Sequence, residues 1–246
     1  MSETLKKTWD FTQKGYIQKH GLGDIGGSSE GICISLSCRW AKLMLKSEKD
    51  LFGSPELTQG KRSTYFAKGS VPKRIAINQD IYDKEREAAR NELTNVKASK
   101  KLADELFNNG EISWEDHKIL SGQIIDGARE AVVVGAGANS VQKILLSNKL
   151  QIVETRSCNS FAEFFLGTQP KACYVFQSSG LEHAFGGYVT GGVFSKEYYF
   201  FDPNSGEFIA SGDSGIAVVM QKFADHYTKQ GHPNSKTDRH RVEYGK

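Results

Sequence analysis

From Ile32 onward the apolar residues Ile32, Leu36, Trp40, Leu43 and Met44 recur at helical spacing with Arg39, Lys42 and Lys46 between them. This pattern predicts an amphipathic helix ending near Lys46. Ahead of it, residues 1–20 are polar and mixed in charge, and Gly21–Gly31 holds five glycines, which predicts a flexible N-terminal arm leading into a loop. Residues 47–72 carry Gly53, Pro55, Gly60, Gly69 and Pro72, a density of breakers that predicts a loop region followed by a short strand at Arg74-Ile75-Ala76-Ile77. Between Asp80 and Phe107 breakers are scarce and Lys, Glu, Ala and Leu abound, so one long helix or two is expected, stopped by Asn108-Asn109-Gly110. Ser113 is placed to cap the next helix, with Asp116 in its first turn.

The last third is richer in Val, Tyr and Phe. Strands are expected at Leu150–Thr155, Ala172–Gln177, His183–Thr190 and Val193–Phe201, with a short helix at Phe161–Leu166 and a longer one at Ile216–Tyr227. From Gly231 the chain is polar and is expected to fray. Helices first and an antiparallel sheet second suggest an α+β fold. The expected organisation is an arm (1–20), one domain (21–230) and a polar tail (231–246).

Composition changes little in this picture. With 38% hydrophobic and 25% charged residues, the chain is an ordinary globular one with no need of metals or disulfides to fold. Its net charge of +3, from 32 Lys and Arg against 29 Asp and Glu, argues against nucleic-acid binding. No stretch resembles a cleavable secretory signal or a membrane helix, so a soluble protein is expected. The four cysteines, Cys33, Cys38, Cys158 and Cys173, form no disulfide framework and no CxxC pair of a zinc site; neither metal nor cofactor is expected.

One segment, Val132-Val133-Val134-Gly135-Ala136-Gly137-Ala138-Asn139-Ser140, has the outline of a strand, a glycine turn and a helix, as in a dinucleotide site. That reading wants an early strand in a repeated βαβ pattern, whereas helices precede this one, so a helix start or tight packing turn is preferred, even though Glu154 stands near the expected acidic position.

Candidate chemistry begins at Cys33. It stands where a glycine- and serine-rich loop enters a helix, and the positive end of a helix favours a thiolate. Free cysteines are also common as small buried apolar residues, so position alone favours packing. Cys38, rotated by roughly 500° along the helix, faces away from Cys33. A cysteine nucleophile needs a base and the base an orienter. Of six histidines, His20, His232 and His240 fall in segments expected to be mobile, and His117 and His226 in surface helices. His183 instead opens an apolar strand after a turn, and Asp202 closes the aromatic run Tyr198-Tyr199-Phe200-Phe201. If the two strands form a hairpin around Gly191-Gly192, the start of one lies beside the end of the other and His183 meets Asp202. The bland alternatives are a histidine bonded to backbone and an aspartate that starts a turn before Pro203. The order Cys, His, Asp, with 150 positions from Cys33 to His183, resembles the papain-like arrangement.

Three blocks carry a closer resemblance: Gly31-Ile32-Cys33 with Leu36-Ser37 and Trp40; His183-Ala184; and Phe200-Phe201-Asp202-Pro203-Asn204 with Gly206-Glu207-Phe208. Together they resemble the YopT and AvrPphB family of bacterial effector cysteine proteases. The resemblance implies a papain-like fold, a Cys33, His183 and Asp202 triad, a protein or peptide substrate in a target cell, delivery by a specialised secretion system as a virulence effector or toxin, and a secretion chaperone or immunity protein as partner. Only 32 residues precede Cys33, a shorter leader than these effectors are expected to carry. Papain-like enzymes often place an oxyanion-hole glutamine just before the cysteine, and Gly26–Ile32 holds none; backbone amides at Gly31 and Ile32, with Ser28 or Ser29, are the candidates for that role. The same triad would also suit a glutamine deamidase, a transglutaminase or an amidase, and the scaffold would suit a catalytically inactive binding module.

Overall fold

The computed structural model describes residues 6–23, 31–49, 59–135, 138–179, 181–191, 196–232 and 236–245. Strand β1 (Lys6–Trp9) and helix α1 (Gln13–His20) lead to α2 (Cys33–Lys49), α3 (Gln59–Phe66), α4 (Val71–Asn108), α5 (Trp114–Gly135) and α6 (Ala138–Ser147). There follow β2 (Leu150–Cys158), a 3-10 turn at Phe161–Glu163, β3 (Ala172–Ser178), β4 (His183–Val189), β5 (Glu197–Asp202), β6 (Gly206–Ser211), α7 (Gly212–Lys229) and β7 (Thr237–Tyr244). The fold is α+β, as expected. It divides into two compact units, Met1–Asp80 with Ile144–Lys246, and Ile81–Lys143.

The first unit is built on a seven-stranded sheet in the order β1-β6-β5-β4-β3-β7-β2, with every neighbouring pair antiparallel. β4 is buried along its whole length because both faces of the sheet are covered. On one face, Phe185, Phe200 and Phe176 join Phe161, Phe164 and Phe165 beneath Ile216, Val219, Met220, Phe223 and Tyr227 of α7. On the other, Trp40 of α2 stacks on Phe201, which also meets Trp9, Phe11 and Phe66. Adjacent residues Phe200 and Phe201 thus serve opposite faces, the period-2 alternation of a strand. Two glycines in β4 make the close approach on both sides: a Cβ at Gly186 would collide with the Trp40 indole, and one at Gly187 would lie 2.6 Å from the Phe176 ring.

Five expectations are corrected here. The arm over 1–20 is ordered where it is described: β1 pairs with β6 and Tyr16 is buried with its hydroxyl donating to the Phe66 carbonyl at 2.6 Å. The tail is not frayed over Thr237–Tyr244, which forms a strand between β3 and β2. Its polarity is misleading because Arg239 is buried and donates to the carbonyls of Phe164 and Leu166, at 3.0 and 2.8 Å. Finally, Arg74-Ile75-Ala76-Ile77 is helical, since Pro72 stands in the first turn of α4, where no backbone N–H is required of it, and Ile75 and Ala76 pack into the core. α3 likewise lies inside the region expected to be loop, and Phe161–Leu166 holds only the 3-10 turn.

In the second unit α4 continues to Asn108, stopping where the Asn108-Asn109-Gly110 signal placed its end, and Ser113 Oγ caps α5 by accepting from the Asp116 amide at 3.1 Å. His117 bonds Asp104 at 2.9 Å and stacks on Phe107. Val132-Val133-Val134 is helical, so the strand of a dinucleotide site is missing, and α6 starts at Ala138 as the helix-start reading expects.

Candidate functional site

Helix α2 begins at Cys33 and is held by its apolar stripe, with Ile32, Ile34, Leu36 and Trp40 each no more than 1% exposed. The Cys33 thiol is largely covered and points to the Glu182 carbonyl at 3.9 Å. Glu182 has φ of 50°, a left-handed conformation uncommon for a residue with a side chain, and this turn delivers His183 to the start of β4.

β4 and β5 pair antiparallel with Gly186 opposite Phe201 and Val189 opposite Tyr198. Carried one step past the ladder, that register sets Asp202 opposite Phe185, so His183, two residues along on the same face of the sheet, reaches across diagonally, and His183 Nε2 meets Asp202 Oδ1 at 2.8 Å. Residues 192–195, which hold Gly192 of the expected turn and the first three residues of the strand expected from Val193, lie outside the described residues. Asp202 is fully buried; its Oδ1 also accepts from the Asn204 amide at 2.9 Å, and Tyr227 donates to Oδ2 at 3.4 Å. Burial alone would raise the Asp202 carboxyl, but the bond and charge of His183 hold it below the usual carboxylate range. For His183, burial alone would depress the imidazole, yet the neighbouring Cys33 sulfur and the Asp202 carboxylate together push it up to about 10. With Nε2 engaged by Asp202, Nδ1 is the ring nitrogen left for Cys33. The structure therefore brings Cys33 of α2 to His183 and Asp202, which come from the consecutive strands β4 and β5.

The proposed oxyanion donors fare differently. Ser28 and Ser29 lie outside the described residues. The Ile32 amide is already engaged, donating to Gln13 Oε1 at 2.8 Å. Gly31 has φ of 135°, in the region that favours glycine, and a Cβ there would press on Gln13 Oε1 at 3.1 Å. Gln13 also donates through Nε2 to Asn204 Oδ1 at 2.6 Å, and its backbone amide to the Pro203 carbonyl at 2.6 Å. One side chain thereby links the loop before Cys33 to the turn after Asp202. Sequence reasoning missed Gln13 because nothing local marks a contact spanning 191 positions.

Glu207 was also missed as a functional support, although its block was noted. It is fully buried, accepting from Trp40 Nε1 at 2.7 Å, from Thr8 Oγ1 at 2.7 Å and from Arg62. An acidic residue near the start of an otherwise apolar strand, Gly206-Glu207-Phe208-Ile209-Ala210, was the available signal. It ties α2, and hence Cys33, to β1, α3 and β6.

The other thiols look structural. Burial pushes Cys38 far above the usual thiol range, with Cys33 adding to the effect, and burial also raises Cys158; Cys173 rests against the Ala41 carbonyl at 3.7 Å. His240, expected in a mobile tail, is buried in β7 against Thr155 Oγ1 at 2.9 Å. Among the described residues no group of three His, Cys, Asp or Glu could hold a metal, and no helix is long and apolar enough to cross a membrane.

No family model and no curated protein matches the sequence. Among solved structures, the Pseudomonas avirulence protein AvrPphB is similar over 90% of this chain and 99% of its own, with a TM-score of 0.52 and 15% sequence identity. At that identity the likeness is one of fold.

Proposed function

We propose that the protein is a papain-like cysteine protease of the effector type, with Cys33 as nucleophile, His183 as acid and base, and Asp202 as the residue that orients His183. The observation that carries this reading is the buried 2.8 Å contact between His183 Nε2 and Asp202 Oδ1, on the imidazole whose other nitrogen is left for Cys33. The fold likeness to a bacterial avirulence protein supports a protein substrate in a host cell and delivery there from a bacterium.

In this reading the proton resides on His183 and the Cys33 sulfur attacks the carbonyl carbon of a substrate amide. The tetrahedral intermediate collapses to a thioester as the C–N bond breaks, and the departing amine takes its proton from His183. Water then attacks the thioester, giving its proton to His183 and releasing a carboxylic acid while the thiol is restored. Asp202 keeps Nε2 occupied so that Nδ1 faces sulfur throughout. With the Ile32 amide engaged by Gln13, the Cys33 amide at the helix start is the donor best placed for the oxyanion.

Proteome-wide mapping of new protein N-termini, with the full chain and its Cys33→Ala variant, tests this directly. Termini that appear only with the intact thiol support the reading. Termini equally abundant with Cys33→Ala contradict it, and a mass change at glutamine without backbone cleavage would reassign the reaction to deamidation.

A further inference from the structure

On the flank of α2 away from Cys33, Ser35, Arg39, Arg74, Asn78 and Asn148 line a small open cleft with about 10 Å³ of room for a water-sized group. Its throat admits a single water-sized group. Ser35 and Arg39 are one helical turn apart on α2, and Arg74 and Asn78 are one turn apart on α4, so two helices present paired polar side chains to one space. All five belong to the first compact unit.

Two polar atoms here are buried without a hydrogen-bond partner, Ser35 Oγ and Arg39 Nε. The amides of Asn78 and Asn148, in contrast, donate to Ser147 Oγ and to the Ile144 carbonyl, both at 2.9 Å. Two of the lining residues, Arg39 and Arg74, are cations, and both also act on Lys42. The charges that weigh on Lys42 are Arg39, Arg74, Lys149 and Lys46, and Arg39 lies 6.0 Å from the Tyr65 ring centre. None of Arg39, Lys42, Arg74 and Lys149 forms an ion pair among the described residues. Two guanidinium groups without a carboxylate partner among the described residues, Arg39 and Arg74, lining a cleft with two idle buried polar atoms are an arrangement that an anion would stabilise.

We propose that this cleft binds a phosphate group. One oxygen would enter the throat toward Ser35 Oγ and Arg39 Nε, and the others would lie on Arg74 at the mouth. Two guanidinium groups carried by different helices suit the dispersed oxygens of a tetrahedral dianion, whereas one planar carboxylate is satisfied by a single guanidinium fork. The site is distinct from the cysteine site, and its occupancy bears on the helix that carries Cys33.

Calorimetric titration of the full chain with inorganic phosphate at low ionic strength reads the site without reference to any catalytic activity. Saturable one-site binding is expected, weakened about tenfold or more by Arg74→Glu, a charge reversal at an exposed side chain. Ser35→Ala should also weaken it, and Lys222→Glu, on the exposed face of α7, should not. Sedimentation with phosphatidate vesicles, compared with phosphatidylcholine vesicles, separates the sources: recovery lost in Arg74→Glu identifies a lipid headgroup, and phosphate binding without vesicle binding identifies a soluble phosphate ester. Absence of saturable phosphate binding, or equal weakening by Arg74→Glu and Lys222→Glu, would overturn the proposal.

Discussion

Two fully buried carboxylates stand five residues apart at the β5 to β6 turn, and they serve opposite faces of the sheet. Asp202, on the α7 face, holds an imidazole whose other nitrogen is left for a thiol. Glu207, on the α2 face, holds an indole N–H, a hydroxyl and a guanidinium, none of which changes its proton near neutral pH. Burial is the same for both, so burial does not mark the chemistry. The difference lies in the partner: Asp202 acts on a group that can carry a proton, whereas Glu207 acts only on groups that fix the helix in place.

Substitutions at the two positions should therefore separate activity from stability. The largest effect is expected for Asp202→Asn, which keeps the shape but removes the charge behind His183: proteolytic turnover should fall by about 10²- to 10⁴-fold, with a melting temperature close to that of the parent. Glu207→Ala should do the reverse. It leaves Arg62 buried without its carboxylate and should destabilise the fold by about 3–5 kcal/mol in denaturant titration, with residual turnover per folded molecule little changed.

The pH dependence of stability distinguishes the faces again. The His183 imidazole is raised from an ordinary 6.5 to about 10, so its stabilising contribution is complete below about pH 6.5 and is lost as pH rises through 10. Denaturant midpoints of the protein and of His183→Gln should differ most at the acid end of that window and converge toward its alkaline end. A difference that grows with pH would contradict the thiol and carboxylate environment assigned to His183. Asp202, held low, contributes in the opposite sense, with stability lost as pH falls through the carboxylate range. The smallest effect is expected at Gln13. Gln13→Ala frees the Ile32 amide and unlinks Asn204, and about a tenfold loss of turnover with a modest change in melting temperature is the expected outcome.

The path from sequence to site was open where short-range rules apply and closed where partners are distant. Two strand segments next to each other in sequence were enough to bring the start of one near the end of the other, because antiparallel neighbours pair, although the observed register, with Val189 opposite Tyr198, is not that of a turn at Gly191-Gly192 and leaves His183 to reach Asp202 diagonally. The α2 stripe was likewise legible from its spacing. β7 was not, since its backbone pairs with β3 and β2 while Arg239 satisfies itself on carbonyls 73 and 75 positions away. Pro72 read as a breaker although a helix tolerates proline in its first turn. Gln13 and the three donors to Glu207 are joined only by the completed fold, so neither composition nor periodicity could announce them.

The central claim is that the fold makes Cys33 a reactive thiol through His183 and leaves the other three cysteines as packing. Competitive labelling with limiting iodoacetamide near neutral pH, read by peptide mass spectrometry, tests it most directly. Cys33 should be alkylated well ahead of Cys38, Cys158 and Cys173 and faster than a free thiol in the same tube, with the advantage lost in His183→Gln. Labelling of Cys33 no faster than the free thiol, or unaltered by His183→Gln, would contradict the account.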